Sequence, residues 1–145
     1  MKVTIIYCTS TGNTEKMATL IKKGLDQSDT AIEAVIKTVG NSTVDDIRGS
    51  DVVLLGCPAM GVEELDTSEM EPFIRMNAKV FKGKSIALFG SYGWGDGEWM
   101  ESWEAMMVDL EAKVELDSLI VNEMPEGQSE KDCIDFGQKI SRLII

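Results

Sequence analysis

Residues 9–14 read Thr9-Ser10-Thr11-Gly12-Asn13-Thr14, with four hydroxyls, one amide and one glycine in six positions, followed by Glu15 and an amphipathic run. A loop of this kind entering a helix can surround an anion with neutral donors. The first backbone N–H groups of a helix lack partners, and its dipole favours negative charge. Ser, Thr and Asn are also the preferred helix caps, so a capped turn is the plainer reading of the same residues. Two further segments carry residue types suited to a ligand: C-P-A-M-G-V-E-E at 57–64 and G-S-Y-G-W-G-D-G at 90–97. In the second, Ser91, Tyr92, Gly93, Trp94 and Gly95 set an indole between glycines. Backbone can there approach a flat ligand while the indole covers one face. Met60, beside Gly61, is a second contact candidate, whereas most of the nine methionines read as core filling. Trp99 and Trp103 lie four apart on a helical pattern and read as core.

Several chemistries are excluded. The chain has no His, which removes Ser-His-Asp and Cys-His catalysis and the commonest metal ligand. No Gly-x-x-x-x-Gly-Lys-[Ser/Thr] motif is present, so a P-loop nucleotidase is out. A cysteine phosphatase needs an Arg six residues beyond its nucleophile, and the residue at that distance from Cys8 is Thr14. A phosphoacceptor receiver needs Asp at the ends of strands one and three, where Tyr7-Cys8 and Gly56-Cys57 stand. Only Gly12 falls in the first loop, short of a dinucleotide fingerprint. A terminal phosphomonoester on a small ligand remains. Cys8, Cys57 and Cys133 are widely spaced and form no Cys-x-x-Cys pair, so neither a metal site nor a disulfide framework is expected.

The elements that must position these loops follow from the apolar pattern. The chain has 145 residues, 43% hydrophobic, and is expected to form one domain over 1–145. Strands are predicted at 2–7, 32–39, 52–57, 85–90 and 114–121, and helices at 14–27, 69–77, 98–110 and 131–143. The run at 52–57 is apolar at nearly every position, as expected of a strand buried on both faces. Five strands alternating with helices imply right-handed crossovers and a parallel sheet covered on both sides. Ligands bind such sheets beyond the carboxyl ends of the strands. The loops after strands one, three and four are therefore the ones to inspect. Neither a signal peptide nor a membrane span is expected, which points to a cytoplasmic protein.

The strings T-S-T-G-N-T-E, C-P-A-M-G-x-E and G-S-Y-G-W-G-D-G, with F-G-x-x-I at Phe136, Gly137 and Ile140, resemble the flavodoxins over the whole chain. The resemblance is to the short-chain type of anaerobic bacteria, because the interval 110–121 has no room for an insertion in the fifth strand. It implies an α/β three-layer sandwich with a five-stranded parallel sheet of order 2-1-3-4-5. It also implies non-covalently bound FMN and one-electron transfer, mainly between semiquinone and hydroquinone. By resemblance, Thr9, Ser10, Thr11, Gly12, Asn13 and Thr14 would hold the FMN phosphate. Met60 and Trp94 would cover the two ring faces, and the Gly61 carbonyl would turn toward N5. Glu63 would meet N3, and backbone around Ala59 and Gly93 would line the site. Val62 stands where relatives often have Asp, Asn or Ser, and Pro58 restricts the loop entry.

The charge balance supports a carrier. There are 14 Lys and Arg against 25 Asp and Glu, a net −11, which disfavours nucleic acid and anionic membranes as partners. Residues 61–72 hold five acids (Glu63, Glu64, Asp66, Glu69, Glu71) and 85–112 hold six (Asp96, Glu98, Glu101, Glu104, Asp109, Glu111), with no Lys or Arg in either stretch. Charge runs are usually solvated faces, but these two border the loops assigned to the ring. They would repel a reduced anionic flavin and attract a basic redox partner. One charge ~10 Å away at a dielectric of ~40 contributes about 0.8 kcal/mol. The expected protein is a monomeric electron carrier rather than an enzyme. The alternative is an FMN-dependent quinone or flavin oxidoreductase on the same fold, for which no surplus chain is available to build a second pocket.

Overall fold

β1 (Lys2–Tyr7) is five-sixths apolar or β-branched and lies in the middle of a parallel sheet. It pairs on one side with β2 (Glu33–Thr38) and on the other with β3 (Val52–Gly56). β4 (Ser85–Tyr92) follows β3 and β5 (Lys113–Val114) follows β4, both in parallel, giving the order 2-1-3-4-5. The computed structural model describes residues 1–28, 31–60, 64–93 and 95–143. Between the strands run α1 (Asn13–Asp26), α2 (Val44–Arg48), α3 (Met70–Met76), α4 (Glu98–Asp109) and, at the end, α5 (Gln128–Leu143).

The strand alternation splits the core in two. Val3, Ile5 and Tyr7 of β1 join Val52 and Leu54 of β3 on the face covered by α1 and α5, with Met17, Ile21, Phe136 and Ile140. Ile6, Val53 and Leu55 point the other way, against Met70 and Phe73 of α3 and Trp99, Met100 and Trp103 of α4. This is the doubly covered sheet expected from the run at 52–57, every residue of which is buried. α1 and α5 approach closely because Gly24 and Gly137 lie at their crossing. A Cβ at Gly137 would run into the Ile21 carbonyl, and one at Gly24 into that of Ile134.

β4 runs two residues further and α5 starts three residues earlier than the pattern predicts, and two segments differ more deeply. The fifth strand is not continuous over 114–121 but is split into β5 (Lys113–Val114) and β6 (Leu119–Asn122), both parallel to β4. Four residues, Glu115 to Ser118, face the interval that Ala87 and Leu88 occupy on β4, so the ladder cannot stay in register across them. An edge strand pairs on one side only and tolerates this interruption. The turn-rich stretch before β3 contains α2. Asp46 accepts the Thr43 N–H at 2.8 Å and pairs with Lys37 Nζ at 2.7 Å, fixing that helix's start. No described helix is long and apolar enough to cross a membrane.

Candidate functional site

The loop between β1 and α1 turns at Gly12, the N-cap, whose φ of 94° is left-handed and strain-free only for glycine. The Thr9 hydroxyl accepts the Gly12 N–H at 3.1 Å, which draws the loop back on itself. No side chain caps α1. Its first backbone amides are thus left open, beside Ser10, Thr11 and Asn13. Ser10 and Thr11 are exposed. Thr14 is not: it is fully buried, and its hydroxyl lies 2.9 Å from that of Ser91, itself 3% exposed. This hydroxyl pair ties the start of α1 to the end of β4.

The second loop is anchored by backbone. The Ala59 N–H donates to the Ser91 carbonyl at 2.9 Å, and Met60 and Glu64 exchange two backbone hydrogen bonds of 2.8 Å each. That antiparallel bridge joins the residues on either side of 61–63 in the sequence. Gly61, Val62 and Glu63 lie outside the described residues, as does Trp94 in the third loop. Tyr92 is half-buried, with its ring 6.0 Å from that of Trp99 and inclined at 44°. Gly93 is exposed, and Gly95 holds a φ of 90°. Trp99 and Trp103 are 0% and 1% exposed, core residues as their spacing predicts.

These loops enclose a cleft of about 580 Å³ beyond the carboxyl ends of the strands, within the range of small-molecule sites. Of the predicted residues, Ser10, Thr11, Asn13, Ala59, Ser91, Tyr92 and Gly93 line it together. Thr9, Gly12, Thr14, Met60 and Gly95 are not among the residues lining the cleft. Pro58, Asn122, Glu123, Met124 and Glu126 also line it. Asn122 ends β6, and Glu123, Met124 and Glu126 follow it. Applying the carboxyl-end rule to the fifth strand as well would have found them. The Glu123 N–H donates to the Tyr92 carbonyl at 2.8 Å, and Asn122 Nδ2 donates to the carbonyls of Tyr92 and Gly93 at 3.4 Å each.

The electrostatics are those of neutral donors within an acidic rim. The lining residues include Glu123 and Glu126 and no Lys or Arg, while Asp96, Glu98 and Glu101 are exposed nearby in sequence. Asp66, counted above among the acids of a solvated run, is instead buried. Its Oδ2 accepts the Glu69 and Met70 N–H groups and its Oδ1 the Ser68 hydroxyl, at 2.8–2.9 Å. Burial alone would raise the Asp66 pKa. The donors, led by the Met70 N–H, outweigh it and hold the carboxyl below its usual range. At Asp46, too, burial raises the pKa, and the Lys37 ion pair and the Thr43 N–H outweigh it and hold the carboxyl below its usual range.

An uncapped helix start, a hydroxyl-lined approach and a cleft of this volume suit a phosphorylated planar ligand held without cationic side chains. Fold and site together define a doubly wound α/β protein with an open cleft at its switch point. The flavodoxin family model matches residues 5–137. Flavodoxin of Clostridium beijerinckii is 45% identical over 96% of this chain and 99% of its own length. That of Megasphaera elsdenii is 44% identical over 97% and 98%. A solution structure of two-electron reduced Megasphaera elsdenii flavodoxin superposes with a TM-score of 0.85 over 97% of this chain and 98% of that one, at 42% identity. An archaeal flavodoxin at 23% identity shares the fold, with a TM-score of 0.86. The chain belongs to the flavodoxin family, in its short-chain form, and its cofactor is FMN.

Proposed function

We propose that the chain, acting as a single domain over 1–145, is a diffusing one-electron carrier. It has no organic substrate of its own and works mainly between the one-electron-reduced and fully reduced forms of its flavin. FMN supplies the electron-accepting ring. The single observation carrying the reading is the cleft itself, with the uncapped α1 beside Ser10, Thr11 and Asn13 and no cationic side chain in its lining. The loop of Thr9, Ser10, Thr11, Gly12, Asn13 and Thr14 binds the phosphate through backbone amides and hydroxyls. Ala59, Ser91, Tyr92 and Gly93 form the walls of the ring site, and Gly95 turns the loop that follows them. The family resemblance assigns the ring faces to Met60 and Trp94, an acceptor for a proton at N5 to the Gly61 carbonyl, and N3 to Glu63, with Val62 setting the turn.

The acidic rim acts in two ways. Glu123 and Glu126 disfavour added negative charge in the cleft, which lowers the potential of the last electron. The exposed acids around it steer a partner redox protein with a basic docking surface, while the carrier stays monomeric in the cytoplasm. The test is steady-state NADPH oxidation by the FMN-loaded protein, alone and with an added flavin reductase. A carrier turns over only with the reductase, at a rate that falls as salt rises. Turnover without the reductase overturns the reading.

A further inference from the structure

Cys8 and Cys57 are 49 positions apart in sequence and adjacent in space. The β1–β3 ladder ends at the pair Tyr7 and Gly56, and the Cys8 N–H continues it to the Gly56 carbonyl at 3.0 Å. The next residues on both strands therefore stand side by side and share the face covered by α3 and α4. The Cys8 Sγ–H donates to Cys57 Sγ at 3.1 Å. Neighbouring strands lie ~4.8 Å apart, inside the ~4.4–6.8 Å that a disulfide needs between Cα atoms. A bond of ~2.05 Å requires the sulfurs to close by only about 1 Å.

Asp66 lies with them, one of its oxygens and both sulfurs being within 4.8 Å of one another. That carboxylate is already engaged by Ser68, Glu69 and Met70 at the start of α3. A metal would have to take it from the helix. The third cysteine, Cys133, belongs to the core cluster on the opposite side of the sheet.

We propose that Cys8 and Cys57 form a reversible intramolecular disulfide, a two-electron thiol couple at the root of the first two cofactor loops and distinct from the flavin. Cys8 leads directly into Thr9, and Cys57 into Pro58 and Ala59, so the bond joins the bases of both loops. The oxidant is a peroxide. Cys8 is 8% exposed and Cys57 0%, which makes Cys8 the sulfur that reacts first. Its thiolate attacks one peroxide oxygen, the O–O bond breaks, and a water leaves with the thiol proton, giving a sulfenic acid. The Cys57 sulfur then attacks the Cys8 sulfur. The S–O bond breaks, the S–S bond forms, and a second water carries off the Cys57 proton. Two thiols and one hydrogen peroxide thus become one disulfide and two waters, the sulfurs losing the two electrons that the oxygens gain. A small dithiol reverses the reaction. The Cys57 contact, burial, and the charges of Asp66 and Glu69 hold the Cys8 thiol protonated. The first step is accordingly slow at neutral pH and quickens as pH rises.

The proposal does not depend on which ligand the loops hold. Its test starts from the reduced FMN-loaded protein treated with hydrogen peroxide. The intact mass should fall by roughly 2 Da, as loss of two hydrogens requires. Alkylation after unfolding should find one free thiol in place of three, and peptide mapping should recover Cys8 joined to Cys57. Dithiothreitol should restore both readouts. Cys133→Ser should leave the reaction intact, while Cys8→Ser or Cys57→Ser should abolish it. Mapping of the wild-type protein decides the matter even where a variant fails to fold. Retention of three thiols, sulfinic acid as the main product, or cross-linked dimers would overturn the proposal.

Discussion

Thr14→Val tests the buried join between the first and third loops. Valine keeps the shape of threonine and removes the hydroxyl that meets Ser91 at 2.9 Å, in a place where the two residues are 0% and 3% exposed. The Ser91 hydroxyl is then left in the interior without its partner, at a cost of about 1–3 kcal/mol in folding stability. Ser91→Ala should cost a similar amount for the mirror-image reason. The double variant leaves neither hydroxyl stranded, so its cost should fall short of the sum by about 1–2 kcal/mol. Urea unfolding of the three apoproteins beside wild type measures this directly, with an unchanged slope as the control for two-state behaviour. The effect on cofactor affinity is separable. A neutral donor lost from a bound phosphate is worth about 1.5–3 kcal/mol, or roughly 10- to 150-fold in Kd. FMN titration should show that loss for Thr11→Val, whose exposed hydroxyl lines the cleft, and riboflavin titration should not. Additive unfolding energies would refute the hydroxyl pair. An unaltered preference for FMN over riboflavin would refute the assignment of the phosphate.

Gly137→Ala should destabilise the fold by about 1–3 kcal/mol, because its Cβ meets the Ile21 carbonyl and α1 and α5 must separate; an unchanged thermal midpoint would show that the crossing is loose. Asp66→Asn should lose about 1 kcal/mol at neutral pH, since a neutral amide replaces a carboxylate at the start of α3. The folded Asp66 pKa lies below its ordinary value of 3.8, so its stabilisation is full above that value and is lost as pH falls through the folded pKa. The gap to wild type should therefore close on acidification, and a constant gap down to about pH 2 would contradict the charge-based account. Trp94→Ala should weaken FMN by about 2–4 kcal/mol and raise flavin fluorescence, whereas Trp99→Ala, at a fully buried position, should act on unfolding. Equal FMN affinity in wild type and Trp94→Ala would remove Trp94 from the ring site.

Much of this protein was legible in its residues because the signals are local. The apolar run at 52–57 fits a strand covered on both faces, and the four-residue spacing of Trp99 and Trp103 fits one buried side of a helix. Motif strings located three loops, and sheet topology placed them at one end. What local pattern does not encode is register. Whether 114–121 forms one strand or two depends on which residues of β4 stand opposite, and the excess of Glu115 to Ser118 over Ala87 and Leu88 exists only once the strands are paired. The contribution of Asn122, Glu123, Met124 and Glu126 to the cleft follows from that pairing. Composition counted Asp66 with the surface acids, yet folding turned it inward to hold the start of α3. The same holds for Thr14 with Ser91 and for Cys8 with Cys57, partners 77 and 49 positions apart. Sequence determines which side chains can bond. Parallel strands, whose partners arrive through long crossovers, decide which of them ever meet.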